Sequence, residues 1–516
     1  MMLRLSLPPI DSHPASAPET KPSKVKAWLD GLLRQPSPVE TARIVGDALA
    51  ATNRVGMADS RRLEIAELYW SAANTLWPIL EQQFARAVQP LDGVPLDAAK
   101  AALTLANEMS VAYKHLLVRE SERRLVLTGP RLLLALVHRC LQCTARILVN
   151  SYLSYAPVPP KTWLDAHAVY AFASERHLSQ LTVNAETADM TPERAYLQTL
   201  LLALANPYGF LPGQLATVAQ YLQAHCHLAK LTEVAPVHRM AKAVAIVPVG
   251  HDFPPFSANK GGAVEGSKIY LLTYDLAFQL QEQLRALEGG GPPPAEVGRD
   301  AAARAHYVAL LKRLLRQWAM PPARQFNRLP SRARVVMCAG LAGVWQYSRG
   351  DHGGAAHPAR GLPAMSTCQI LNHTPVGYAL RQTEGHHAAL RIGDLIALRV
   401  ESRPGLQVAM IRWFRNTFRG SGLEFGCELL SEAPEAAAAI AEHASPGSLA
   451  PVVVLPEEHA PGGADGAPPQ IIVPAGAFQL EQAISLRRGE NPGFAVLTKL
   501  VEQGPGFELY EYVAVS

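Results

Sequence analysis

Thr367-Cys-Gln-Ile-Leu371, Asn372-His-Thr-Pro-Val-Gly377 and Tyr378-Ala-Leu-Arg381 follow one another without a break, and this run decides the fold. Two apolar pieces flank a turn made of Asn, Thr, Pro and Gly, which reads as strand, turn, strand. Working outward, Arg334-Val-Val-Met-Cys338 lies upstream. Asp394-Leu-Ile-Ala-Leu-Arg-Val400, Gln407-Val-Ala-Met-Ile-Arg-Trp413 and Leu423-Glu-Phe-Gly-Cys-Glu-Leu-Leu430 lie downstream. Each alternates or runs apolar between turn residues. Five or six short strands at this spacing predict a small antiparallel barrel or sandwich. Residues 348–364, rich in Gly, Pro, His and Ala, read as a loop inserted into it.

Two pieces of this region can carry chemistry. In Asn372-His-Thr-Pro-Val-Gly377, the Asn and Thr side chains bond nearby backbone and shape the turn, and their remaining amide and hydroxyl can meet a phosphate or a guanine edge. Gly377 either lets another backbone approach closely or adopts positive φ. Upstream, Arg324-Gln-Phe-Asn-Arg328 sets two guanidinium groups four residues apart, and Arg328-Leu-Pro-Ser-Arg332 repeats the spacing one register on. Guanidinium forks match phosphate oxygens and stay charged at any relevant pH. Taken alone, the first motif reads first as an ordinary strand-to-strand turn and the second as a solvated basic turn.

In this order, arm, strand and turn resemble a PilZ domain, the bacterial receptor module for cyclic di-GMP, over about residues 318–433. That family carries an R-x-x-x-R arm, a strand, then a [D/N]-x-S-x-x-G turn. Here Arg324 and Arg328 match the arm, and Asn372, Thr374 and Gly377 match the turn. Gly393-Asp394, Ile411-Arg-Trp413 and Leu423 to Leu430 fit the strands that follow. Thr374 stands where the family has Ser, which keeps the hydroxyl and adds a methyl. The loop at 348–364 lengthens the path from arm to turn. The resemblance implies that the arginines clamp phosphates and guanine while Asn372 and Thr374 line the other side. The register stays open between Arg324 with Arg328 and Arg328 with Arg332.

The rest of the 516 residues are too many for one core. Residues 1–25, rich in Pro, Ser and charge, read as a disordered tail. Across 26–317 the apolar spacing is mainly helical, at 39–53, 60–88, 96–128 and 129–155, with Pro or a capping residue marking helix starts. The stretch 236–300 is irregular or mixed α/β, with short strands at Val244 to Val249 and Lys268 to Leu272, then a helix over 275–287. A helix from Ala301 to Trp318 is basic on one face through Arg304, Lys312, Arg313 and Arg316. After the barrel, 434–450 reads as an Ala-rich linker helix. Residues 451–516 read as a C-terminal β module, which either stands alone or completes the first barrel. The fold class is therefore multidomain α+β: a mostly helical N-terminal region, a PilZ-like antiparallel β-barrel and a small C-terminal β module.

With 48 basic and 44 acidic residues, the net charge of +4 gives no reason to expect a nucleic-acid binder. Six scattered cysteines predict free thiols in a reducing cytoplasm. No membrane span is expected, because the most apolar helix, 132–149, contains His138, Arg139 and Arg146. Cys140-Leu-Gln-Cys143 lacks a second pair at finger spacing and reads as core. His225-Cys226-His227 is half a metal site at most, with His167, His177, His238 and His251 as the available partners. Gly261 to Lys268 has the glycines of a phosphate loop, but Ser and Lys stand in reversed order and a strand follows. His386-His387 sits in a turn.

The expected function is a cyclic di-GMP-binding signalling protein, not an enzyme and without cofactor or metal. It passes ligand binding through the arm, as a hinge, to a helical region that contacts an unidentified protein partner. A degenerate adaptor that binds proteins and no nucleotide is the alternative. A metal-dependent enzyme using 130–270, with His225, His227 and His251, is the second.

Overall fold

The structure, a computed structural model, describes residues 3–11, 17–122, 130–183, 190–236, 242–260, 265–295, 297–298, 301–319, 326–349, 365–384, 389–403, 405–416, 422–441, 449–456, 468–488 and 491–515. It divides into two compact units. One comprises Met1–Ala87 and Leu91–Arg324, the other Val88–Pro90 and Gln325–Ser516.

The first unit is mainly helical: α1 (Pro22–Leu32), α2 (Pro38–Asn53), α3 (Asp59–Phe84), α4 (Gly93–Glu122), α5 (Arg131–Leu153), α6 (Thr162–Glu175), α7 (Pro192–Leu204) and α8 (Gln214–His225). Proline opens α1, α2 and α7, where its missing N–H costs nothing. Thr191 caps α7 by accepting the Arg194 N–H at 3.2 Å. A four-stranded antiparallel sheet follows, in the order β1 (Lys230–Thr232), β4 (Ile269–Leu272), β2 (Val244–Val247), β3 (Phe256–Ser257). Then come α9 (Tyr274–Glu288) and α10 (Ala301–Trp318).

By length and composition α5 could cross a membrane, yet 56% of its apolar window is buried inside this unit. Its arginines are partnered within the same unit. Arg139 lies over the Trp70 ring and pairs with Glu67 at 2.9 Å, and Arg146 lies over Trp77 and pairs with Glu81 at 2.7 Å. Both guanidinium groups are thus partnered by α3, and cation–π contact adds to each ion pair. The expected disordered tail differs in its described residues. Leu3 is buried, the Ser6 N–H donates to the buried Asp165 carboxylate, and Asp11 bridges to Val55. Short apolar and backbone contacts hold a composition that looked unable to bury anything. The basic face of α10 is also engaged: Arg313 donates to the Gly209 and Asn206 carbonyls, and Lys312 pairs with Glu288.

The second unit contains two β rings. The first is built from β5 (Leu329–Pro330), β6 (Arg334–Ala339), β7 (Ser366–Thr374), β8 (Gly377–Glu384), β9 (Leu395–Val400), β10 (Gln407–Asn416) and β11 (Leu423–Ser431). Its order is β5-β7-β6-β9-β10-β11-β8, and a further pairing of β7 with β8 closes six strands into a ring with β5 added outside β7. All pairings are antiparallel. A helix not expected from the sequence, α11 (Leu341–Ser348), leaves β6 through Gly340 at φ +83°.

The second ring is a closed barrel of β12 (Glu435–Ala441), β13 (Ala450–Leu455), β14 (Gln470–Pro474), β17 (Phe507–Val515), β16 (Asn491–Gly504) and β15 (Ala483–Arg488). It stands as its own barrel and does not complete the first. This corrects the expected linker helix at 434–450: the alanine run is strand β12, paired on both sides with β13 and β15. Ala437 and Ala439 fill the barrel interior, where the strand period of two overrides the helix propensity of alanine.

The two rings share a core. Along β13, Val452 and Val454 point into the second barrel while Val453 and Leu455 join residues of the first; along β14, Ile471 and Val473 do the former and Ile472 the latter. The shared cluster includes Cys338, Val344, Leu395, Ala397 and Met410 of the first ring. Trp345 of α11 donates its indole N–H to the Ala437 carbonyl at 2.6 Å, so the helix ties the two rings together.

Candidate functional site

The turn of the opening motif is a β-hairpin in which Thr374 pairs with Gly377. The Val376 N–H donates to Thr374 Oγ1 at 3.3 Å, and the hydroxyl reaches the Gly377 carbonyl at 3.4 Å. Gly377 is needed for close approach, not for positive φ: a Cβ there would sit 2.3 Å from the Cys427 carbonyl oxygen of β11. The arm meets this hairpin directly. In β5, Leu329 pairs with His373 and Pro330 with Asn372. Arg328 therefore lies one residue beyond the paired Leu329, toward the Thr374 end. Arg324 falls outside the described residues.

The decisive local feature is a bulge in β7. Ile370 pairs with Leu380, but Asn372 pairs with the next residue, Ala379. In a regular strand Gln369 and Asn372 would face opposite sides. The extra residue, Leu371, shifts the alternation by one and sets both on the outer face. Cys368, Ile370, Leu380, Phe414 and Phe425 fill the inside.

Three cross-strand rows then lie side by side on that outer face. One runs Arg334, Gln369, Arg381, Glu424, Arg415. The next runs Pro330, Asn372, Ala379, Gly426, Trp413. The third holds Thr374, Gly377 and Glu428. The middle row is shallow because its centre is Ala379 and Gly426. The Trp413 indole covers Gly426, where a Cβ would come within 1.9 Å of the ring nitrogen. In the first row, three arginines face one carboxylate, and Arg381 donates from Nε and Nη2 to Glu424 Oε1 at 3.1 and 2.6 Å.

A concavity of about 640 Å³ opens here, lined by Pro330, Ser331, Arg332, Gln369, Leu371 and Arg381. Arg328 and Arg332 are exposed and make no side-chain hydrogen bond among the described residues. The structure thus brings Arg328, Arg332, Asn372, Thr374 and Gly377 to one side of the ring. Sequence reasoning missed Gln369, Arg381, Glu424 and Trp413. One signal was available, since Gly377, Ala379 and Arg381 are two residues apart and must share a face.

The other candidates do not assemble. Cys140 and Cys143 are buried in α5 as free thiols, and burial pushes Cys140 up to about 12 and Cys143 well above its ordinary value. His225 stacks on Tyr221, and its two ring nitrogens meet the Tyr221 carbonyl and the Gln283 amide. His227 meets Arg194. His167 is buried between the Tyr196 hydroxyl and the Phe253 carbonyl. Among the described residues no group of three or more His, Cys, Asp or Glu could hold a metal ion. His238, His386, His387 and most of the glycine loop at 261–264 lie outside the described residues.

Comparison with known proteins gives three consecutive family matches. Residues 23–236 match the N-terminal domain of the cyclic-di-GMP receptor FimW, residues 352–437 its middle PilZ domain, and residues 436–515 its C-terminal β-barrel domain. The PilZ match contains Asn372, Thr374 and Gly377 and begins after the arm. A curated relative, the cyclic-di-GMP receptor FimW of Pseudomonas aeruginosa (strain PAO1), is 23% identical over 503 residues, covering 84% of this chain and 81% of the relative. No solved structure matches. The first ring, with its turn at Asn372 to Gly377, is accordingly a PilZ domain, placed between regions similar to the N-terminal and C-terminal domains of FimW.

Proposed function

We propose that this chain is a receptor for cyclic di-GMP, which binds on the outer face of the first ring. The observation that carries this reading is the bulge between Ile370 and Asn372. It sets Asn372 and Thr374 on one face with Gln369 and Arg381, beside the β5 segment that carries Arg328 and Arg332. A cyclic dinucleotide offers two phosphates to the guanidinium groups and guanine edges to amide, hydroxyl and arginine. Trp413 offers a ring for a base to stack on. The pairing of β5 with Asn372, and the arginine in the concavity, favour the register Arg328 with Arg332.

The arm also supplies a route for the signal. It joins α10 to β5 in the chain, so a ligand that grips Arg328 and Arg332 tethers the segment leading back to the helical region. That region would carry the contact with a protein partner. A ligand shifts such an equilibrium only by its differential affinity for the two states, typically about 1–3 kcal/mol.

Calorimetric titration of cyclic di-GMP tests the reading. Wild type is expected to bind at micromolar or tighter affinity, and Arg328→Ala to lose about 1.5–3 kcal/mol, the worth of a charged hydrogen bond. One observation favours the adaptor alternative: the Thr374 hydroxyl already serves its own turn. If the wild type fails to bind, the adaptor reading takes over.

A further inference from the structure

We propose that the concavity between β5, β7 and β8 is a phosphate subsite in which Arg381 contacts the ligand and Glu424 is the residue that positions Arg381. This rests on the reading of the outer face as the cyclic di-GMP site, and it adds two residues that neither the arm nor the turn motif contains.

Arg381 lines the concavity and Glu424 does not. The carboxylate holds the guanidinium by one edge, accepting from Nε and Nη2. A guanidinium carries five N–H donors in a fixed fork. Two are spent on Glu424, and the others make no hydrogen bond among the described residues. Glu424 pairs with Arg381 across β8 and β11 and is only 14% exposed, so its grip comes from a nearly buried, strand-mounted group.

The opposite wall is arranged to match. Arg332 is exposed with no hydrogen-bond partner among the described residues. Ser331 Oγ accepts the Ala333 N–H at 3.2 Å, which leaves its own proton free to donate. Gln369, paired with Arg381 across β7 and β8, adds an amide. The lining therefore presents two guanidinium groups, a hydroxyl and an amide, and no carboxylate. A volume of about 640 Å³ lies within the usual range of small-molecule sites, about 300–1,000 Å³, and admits a nucleotide portion as well as its phosphate.

Positioning matters because a free arginine spends rotamer entropy on binding, whereas one already held by its Nε edge does not. Removing Glu424 should therefore weaken binding even though it removes a negative charge. A simple electrostatic account predicts the reverse sign.

The test is calorimetric titration of cyclic di-GMP into the full chain, comparing wild type, Arg328→Ala, Arg381→Ala, Arg381→Gln, Glu424→Ala and the Arg381→Ala/Glu424→Ala double variant. Thermal melting serves as the control for folding. Arg381→Ala and Arg381→Gln are each expected to weaken binding about tenfold or more, the scale of one charged hydrogen bond. Glu424→Ala should weaken it several-fold, and should add nothing once Arg381 is gone. Unchanged or tighter binding by Glu424→Ala overturns the positioning role. Wild-type affinity in both folded Arg381 variants, with binding still lost in Arg328→Ala, overturns the subsite alone. A wild type that binds no cyclic di-GMP overturns the functional reading and the subsite with it.

Discussion

The two rings of the second unit have nearly the same architecture and different surfaces. Each closes six antiparallel strands around an apolar interior. The first turns outward a row of Arg334, Gln369, Arg381, Glu424 and Arg415 beside a shallow row of Ala379 and Gly426. The second turns outward Phe494, Val513 and Val515, each more than half exposed, while another part of its surface is buried against the first ring. A closed barrel is thus a frame that says little about chemistry, which resides in the outward residues of particular strands.

The largest effect that would sharpen this comparison lies in the core the rings share. Neighbouring residues Ile471 and Ile472 are both fully buried, one inside the second barrel and the other in the joint cluster. Ile472→Ala should cost about 2–5 kcal/mol and split one melting transition into two, because the cavity it leaves separates the rings. Ile471→Ala should cost a similar amount but keep a single transition. Calorimetric unfolding distinguishes the two outcomes, and identical profiles would show that Ile472 does not couple the two rings.

Next in size is a glycine on each ring. Gly426→Ala in the first ring must displace the Trp413 indole, for an expected loss of about 1–3 kcal/mol together with weaker ligand binding. Gly476 in the second ring has open space around it but φ of +71°, so Gly476→Ala should cost about 1–2 kcal/mol through backbone strain alone and leave binding unchanged.

The smallest effect is a pH response. Burial raises the Asp394 carboxyl in the first ring to about 6, against the pull of the Arg391 N–H and charge. Its folded value exceeds the unfolded one, so the folded state holds this proton more tightly. Stability is gained as pH falls through 6 and lost as pH rises. In the helical unit burial lowers His115, His138 and His167 to about 4, so each loses stability as pH falls from 6.5 toward 4. Hydrogen exchange at pH 7 and 5 should show the β unit less affected by acid than the helical unit. Asp394→Asn should remove the β unit's share of that difference.

Much of this frame could be read from residues alone. The helices α2 to α5, α9 and α10 and all six strands of the first ring follow from period, proline and turn residues. Three features could not. The alanine run of β12 has helical propensity, and only its two strand neighbours decide against it. The eight residues of α11 are too few to show a period, and the shared core is what holds them. Above all, the bulge at Leu371 leaves no mark in the sequence, yet it decides which side chains join the site. Arg381 shares a face with Gly377 by its spacing alone, whereas Glu424 becomes a candidate only through its pairing with Arg381. Gly377 was read correctly as a required glycine, although the pressing atom belongs to Cys427, not to a ligand.

The central claim is that the bulge gathers a dinucleotide site onto the face beside β5. Titrating cyclic di-GMP into wild type and the Arg328→Ala/Arg332→Ala double variant, at low and high salt, tests it most directly. Micromolar or tighter binding by the wild type that weakens with salt is expected, and its loss in the double variant. Equal binding by both proteins, or none by the wild type, would contradict it.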